Sequence, residues 1–307
     1  MFRLFGSFRP YFFLLPAGMI LFVFHLFPLA MVVWISLFRD WRTADSAYVG
    51  LDNYQRIFES GEFVRSLGIS VWYALGTIPA TIALALVFAV LLGRKKRLAG
   101  VYRVAFFLPF ITSTVAAAAV WKWILHVDQK GLANSLLAAF GVGPVRFTES
   151  STGIFELAFG GELPIVGGGP SLALISVMLF AVWHTFGFYV IILTAGMGQI
   201  PKETYEAAWL DGAGPVRSFF SITLPLLRPV IGFLVVISTI AAFQTFNQIY
   251  IMAPAERLNS ARNATMYIFT EFWNYQRFGT GAAASVALFG VLLVLTALQL
   301  RVSRRKD

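Results

Sequence analysis

The stretch Glu206–Pro225, EAAWLDGAGPVRSFFSITLP, decides how this chain is read. It is small, polar and turn-containing, yet it sits between two long apolar runs, one ending near Met197 and the next opening at Val230. Its grammar is helical on both sides of a turn. Pro201 suits the first helical position, where a missing N–H costs nothing, and Glu203 in the first turn suits the helix dipole. KETYEAAWLD then makes about two to three turns of helix. Gly212 is a left-handed stop, and Pro215 opens a second helix running through Phe219 and Phe220 to Leu224 and Pro225. Two short helices joined by DGAGP form a compact knob, and Ala207, Ala208, Gly212, Ala213 and Gly214 are small enough to let another backbone approach. Tyr205 and Trp209, four apart, fall on one side of the first helix as anchors. A docking surface and a re-entrant hairpin that merely joins two spans fit these residues equally well.

Composition supplies the setting. Of 307 residues, 58% are hydrophobic and 13% charged, and the mean hydropathy is +0.74. Soluble domains carry about 25% charged residues, so this is a membrane protein. The net charge of +9 reads as topology rather than as affinity for nucleic acid. With no cysteine, disulfides, thiolate metal sites and thiol nucleophiles drop out.

Six apolar segments approach the roughly 20 residues that a bilayer requires. They cover Tyr11 to Phe38, about Ser66 to Gly93, about Ala105 to Trp121, about Leu172 to Met197, Val230 to Met252 and Ala282 to Leu300, and none contains Asp, Glu, Lys or Arg. The first is too long for a signal-peptide core and is followed by FRDW rather than a small-residue cleavage site, so it is retained. The chain divides into a tail at 1–10, a six-span domain at 11–300 and a basic tail at 301–307. If both termini are cytoplasmic, the inner segments hold 14 of the 24 basic residues, including Arg94 to Arg97, and 4 of the 15 acidic ones. The positive-inside rule then places both ends, and the 198–229 connection with its knob, in the cytoplasm. The outward segments include VGLDNYQRIF, where Asp52 or Asn53 would cap a short helix, the Gly-rich FGGELPIVGGGP, and Pro254 to Gly281.

The spacing within the opening stretch goes further. Glu206-Ala207-Ala208, three residues, Gly212, nine residues, Ile222, one residue, then Leu224-Pro225 matches in full the EAA loop of the membrane subunits of ABC importers. The chain therefore resembles a binding-protein-dependent ABC transporter permease. VGLDNYQRIF, RVAFFLP, WKWI, GLANSLL, GQIPKETYEAAWLDGA and FQTFNQIY extend the likeness from about residue 10 to 305, and are similar to the carbohydrate-type permeases of maltose and glycerol-phosphate importers. One departure is IMAPAERLNSARNAT, where many relatives carry a Thr-Gly-Gly-Pro-like turn after span five.

The resemblance implies an all-α integral membrane protein of six transmembrane helices, with the type I ABC importer permease fold and a cytoplasmic coupling helix, in a prokaryotic inner membrane. It implies that Glu206, Ala207, Ala208, Asp211, Gly212, Leu224 and Pro225 belong to the loop that docks into an ATPase. It also implies partners: a second permease in a heterodimer, two cytoplasmic ATPase subunits, an extracytoplasmic substrate-binding protein and membrane lipid, with no nucleic acid. The residues themselves require an outside energy source, because there is no G-x-x-x-x-G-K-[ST] loop and no Gly-Lys pair anywhere. Hence no cofactor is expected on this chain, ATP and Mg being held by the partner ATPase.

Without charged residues in its spans the chain lacks the carboxylate relay of proton-driven pumps, and His25 and His184 are expected to be packed or interface-facing residues rather than proton carriers. Neutral cargo is favoured. Polar and aromatic residues cluster at Thr112, Ser113, Thr114 and Trp121, at Trp183, His184, Phe186 and Tyr189, and at Gln244, Asn247, Gln248 and Tyr250. A sugar or oligosaccharide needs that mixture of hydroxyls, amides and aromatic faces. Trp183, Tyr189, Gln244, Asn247 and Gln248 are the candidate path, whereas Trp121 and Tyr250 are expected in the interfacial aromatic belt. Ser and Thr also glue helices together, so the carboxamides carry the case: three within five residues are costly in lipid and must face protein or water. A glycerol-phosphate cargo would want a cation that the spans do not supply. A secondary transporter would explain six spans but not the EAA spacing, and an intramembrane hydrolase lacks H-E-x-x-H, G-x-S-x-G and paired acids in the spans.

Overall fold

A computed structural model describes residues 9–40, 46–94, 99–127, 131–160, 168–253 and 259–304. The ends of both tails, Lys95 to Arg97, most of the Gly-rich tract and residues 254–258 of the departing IMAPAERLNSARNAT segment lie outside them. Among the described residues the chain is helical, with two isolated β-bridges, Phe38 with Tyr48 and Gly153 with Ser171. It forms two compact units, 1–64 with 267–291, and 65–266 with 292–307.

In the first unit, α1 (Arg9–Leu21) and α2 (Phe27–Ile35) are joined through a wide turn at Phe22–Leu26. Pro28, at the start of α2, has no N–H for the regular ladder, and a π turn is one way a helix absorbs that loss. The 23 apolar residues Phe13–Ile35 are long enough to cross a bilayer and bury nothing within the chain. Next comes α3 (Asp52–Glu59), where the expected cap is corrected: the helix starts after Leu51 with no side-chain cap. Asn53 instead is fully buried and donates to the carbonyls of Ser36 at 2.9 Å and Phe38 at 2.8 Å. One amide thus satisfies the chain as it leaves the first span. Gly279 passes so close to the Phe38 carbonyl and Asn53 Nδ2 that no side chain fits there. Asn53→Ala is expected to destabilise the protein by about 1–3 kcal/mol, through the two stranded acceptors, as a lower unfolding temperature in detergent.

The second unit is built around α9 (Leu172–Met197), whose N-terminus is capped by Ser171 accepting from the Leu174 N–H at 3.2 Å. It packs beside α4 (Glu62–Arg94), α5 (Ala99–Ile111) and α13 (Arg228–Phe243), with Ile82, Ala89, Phe186, Val190, Leu193 and Leu234 in the shared core. Gly187 decides the approach of α5. A β-carbon at that position would overlap the Phe106 carbonyl, so only glycine permits the contact. Hydroxyls enter this apolar core by bonding to carbonyls one turn back, as in Thr77 to Tyr73, Thr81 to Thr77 and Thr194 to Val190.

Two of the six apolar segments are not single helices. The third breaks at Thr112–Ser113, where α5 meets α6 (Thr114–Ile124) at 92°, just after Pro109. The fifth is regular only through Phe243; it breaks at Gln244–Phe246 before α14 (Asn247–Met252), and before it Pro215–Leu226 meets α13 at 63°. Among the described residues four helices are therefore long and apolar enough to cross alone, Phe13–Ile35, Glu62–Leu92, Leu172–Met197 and Phe278–Val302, and there are up to six spans if each bent pair is one.

Candidate functional site

The polar stretch between spans folds as the hairpin its sequence predicts. Lys202–Leu210 is helical, with Pro201 one residue ahead of the helix rather than inside it. Gly212 adopts φ 77°, and the Gly212 and Ala213 N–H groups return to the Trp209 and Ala208 carbonyls at 3.0 and 2.8 Å. The second arm starts at Pro215 and widens into a π turn at Phe219–Thr223, ahead of Pro225, which has no N–H to give. Tyr205 and Trp209 do not act alike. The Tyr205 hydroxyl bonds Thr223 Oγ1 at 2.9 Å and ties the two arms, while Trp209 is 75% exposed. With Leu210, Val216 and Phe220 it leaves apolar surface uncovered on the knob. Glu206, Ala207, Asp211 and Gly212 are exposed, whereas Ala208, Leu224 and Pro225 are half-buried. A cavity of about 870 Å³ lies on the inner side of the hairpin, between its arms and Arg103, Thr194 and Met197.

A second cavity, about 340 Å³, lies within the helices of the same unit. Tyr189, Gln244, Asn247 and Gln248 line it, and among the described residues no Asp, Glu, Lys or Arg does. The Tyr189 hydroxyl is hydrogen-bonded to Ser238 Oγ, and Gln248 Nε2 donates to the Tyr73 hydroxyl at 3.1 Å. Gln244 and Asn247 are exposed. Both flank the break in span five, so their amides point where the backbone is irregular, which is tolerated at membrane depth when it lines a cavity.

Trp183 is not part of this lining. Its ring packs on Trp121 at 5.4 Å and Phe180 at 6.1 Å, in one aromatic cluster. Tyr250 stays half-exposed and stacks on Phe246 at 5.3 Å. His184 is packed as expected, 7% exposed among Phe180, Phe110 and Trp183, although its Nε2 has no hydrogen-bond partner among the described residues. Further lining comes from Tyr73, Thr77 and Thr81, which were not singled out from the sequence. A signal exists: Ser66, Ser70, Tyr73, Thr77 and Thr81 recur at intervals of four or three along an otherwise apolar helix, which places them on one face.

The model of the family described as "Binding-protein-dependent transport system inner membrane component" matches residues 66–307, including the whole hairpin and every residue lining the inner cavity. The chain belongs to that family. It is a permease, an apolar, helical, multi-pass membrane subunit of a binding-protein-dependent transport system, and its role is transport. The permease is 30% identical over 299 residues to the trehalose/maltose transport system permease protein of Thermococcus litoralis, covering 97% of this chain and 94% of that one. It is 29% identical to the sulfoquinovosyl glycerol transport system permease protein of Agrobacterium fabrum, over 96% of this chain and 90% of that one. Its fold is that of a chain in the crystal structure of a bacterial alginate ABC transporter in complex with an alginate pentasaccharide-bound periplasmic protein, with TM-score 0.81, 22% identity and coverage of 99% and 98%.

Proposed function

We propose that this permease carries a neutral saccharide inward through the cavity at the break of span five, driven by an ATPase that grips the 206–225 hairpin. The observation that carries the reading is the cavity lining: Gln244, Asn247 and Gln248 together with the hydroxyls of Tyr73, Thr77 and Thr81, with the rings of Phe110, Phe180 and Phe246 beside them and, among the described residues, no Asp, Glu, Lys or Arg. Amides and hydroxyls match sugar hydroxyls, and aromatic faces cover sugar C–H surfaces. An anionic cargo would call for a cation at binding depth. That disfavours a glycerol phosphate, although one relative is named for sulfoquinovosyl glycerol, so charge has to be tested directly.

In this reading both termini are cytoplasmic, residues 1–10 and 301–307 are tails, and the 198–229 connection is the coupling loop. Glu206, Ala207, Ala208, Asp211 and Gly212 meet the ATPase, while Leu224 and Pro225 anchor the second arm. Trp209, Leu210 and Val216, uncovered in the isolated chain, are the apolar contacts an interface of that kind requires. A second permease completes the pathway, two ATPase subunits bind ATP and Mg, and an extracytoplasmic binding protein delivers the cargo.

The test is uptake of radiolabelled neutral and anionic oligosaccharides by cells carrying the intact system. With the accepted sugar in hand, Asn247→Ala is expected to raise KM about tenfold, the scale of one or two lost hydrogen bonds. Trp183→Ala, away from the lining, is expected to shift it by less than about twofold. Unchanged kinetics in Asn247→Ala would remove the break from the path, and uptake of anionic sugars alone would overturn the neutral cargo.

A further inference from the structure

Span five is broken beside the cavity, and the broken ends are held by side chains from one short segment further along. Phe246 leaves helical geometry at φ −132°, ψ −62°, so the carbonyls from the end of α13 at Phe243 through the break to Thr245 lose their regular helical partners. Two of them are taken up elsewhere. Thr265 Oγ1 donates to the Phe243 carbonyl at 2.8 Å, and Asn263 Nδ2 donates to the Thr245 carbonyl at 2.6 Å. Asn263 has no exposed surface, and its Oδ1 accepts from the Met266 N–H at 3.0 Å, which starts α15 (Ala264–Phe269). The Ala264 N–H in turn reaches Ser70 Oγ at 3.1 Å, on the α4 face that carries Tyr73 and Thr77 to the cavity.

We propose that Asn263 and Thr265 are positioning residues that keep span five broken and so set the direction in which Gln244, Asn247 and Gln248 face. The physical reason is the choice open to the backbone. Carbonyls at membrane depth need a donor, and the ones at the break have two ways to find it: the side chains of 263 and 265, or a continuous helix from Arg228 to Met252. At 3.6 residues per turn, regularising Gln244 to Phe246 rotates everything beyond, and the Asn247 side chain leaves the cavity. The segment that follows span five therefore governs the cavity's amides without touching the cargo. Its meaning for transport rests on the path proposed above, but the geometry stands or falls without any substrate.

The absence of native cysteine makes the experiment direct. Asn247→Cys is introduced into the full chain in membranes of the host that supplies its partners, with Thr194→Cys, at the other cavity, as a control position. The rate of labelling by trimethylammonioethyl methanethiosulfonate is then compared in the parent, Asn263→Ala, Thr265→Val and Thr265→Ser. Labelling at 247 is expected to fall at least about fivefold in Asn263→Ala and Thr265→Val, the scale set by loss of a buried hydrogen bond. It is expected to return in Thr265→Ser, which keeps the hydroxyl, and the control rate to hold throughout. Rates at 247 within about twofold of the parent in both variants overturn the proposal, as do equal changes at 247 and at the control, which mark general loosening. Thr265→Val nearly conserves volume and guards against a variant that only fails to fold. A normal labelling pattern combined with a raised KM in Asn247→Ala would remove the positioning role and leave the path standing.

Discussion

Gly212→Leu is expected to insert in the membrane normally and to lower uptake at least about a hundredfold, because two penalties fall on the same residue. Gly212 sits at φ 77°, where a side chain costs about 1–2 kcal/mol of backbone strain. That alone shifts the hairpin away from its turn by about tenfold. The new side chain also projects from an exposed position beside Trp209 and Leu210, where a partner must come close to small residues. Glu206→Ala, on the same exposed arm, is expected to abolish uptake without the strain. Gly212→Ala pays only the first penalty and is expected to keep a measurable fraction. Uptake and membrane content are measured together, and full transport by both Gly212→Leu and Glu206→Ala would sink the coupling role of the hairpin.

Gly187→Val is expected to be the most damaging substitution within the spans. Overpacking a well-filled core costs about 1–3 kcal/mol even where side chains can yield. Here the obstacle is the Phe106 carbonyl, part of the α5 backbone, so α5 and α9 must move apart and open the shared core. The folded, monodisperse fraction in detergent should fall at least about tenfold, and Gly187→Ala should fall in the same direction but less. Gly68→Ala is the matched control, since a β-carbon there meets nothing within 4 Å. Equal behaviour of the Gly187 and Gly68 variants would contradict the packing described for α5.

The contrast between those two glycines shows where sequence reading stops. Both sit in apolar runs, and nothing local distinguishes the one that admits a neighbouring backbone. The hairpin was legible because its signals are local: a proline ahead of one helix, a left-handed glycine after it, and a proline opening the next. The spans were legible from composition, but their interruptions were not. Residues 105–121 and 230–252 carry no charged residue, and the apolar runs on either side of Thr112–Thr114 and Gln244–Gln248 read as one span each, so the polar residues were marked while the helix breaks beside them were not. Pro109 was an available warning for the first break; no equivalent residue lies inside the second, whose cause is the pair of side chains at 263 and 265. Gln244, Asn247 and Gln248 could be marked from sequence because amides in lipid are expensive. Thr77 and Thr81 escaped because their hydroxyls hide their polarity in their own helix, and Tyr73 because its partner, Gln248, is distant in sequence; only their shared face sets them apart. Asn53 misled for a related reason: an amide near a helix start suits a cap, but a distant pair of carbonyls claimed it.

The measurement that bears most directly on the central claim is ATP hydrolysis by the complex that co-purifies with the tagged permease, with and without saccharide-loaded binding protein, and with Gly212→Leu run beside the parent. The account predicts that the parent brings down an ATPase and a second permease, that loaded binding protein stimulates hydrolysis, and that Gly212→Leu loses either the ATPase or the stimulation. An intact, monodisperse permease that purifies alone and hydrolyses nothing, or a Gly212→Leu complex stimulated as fully as the parent, would contradict it.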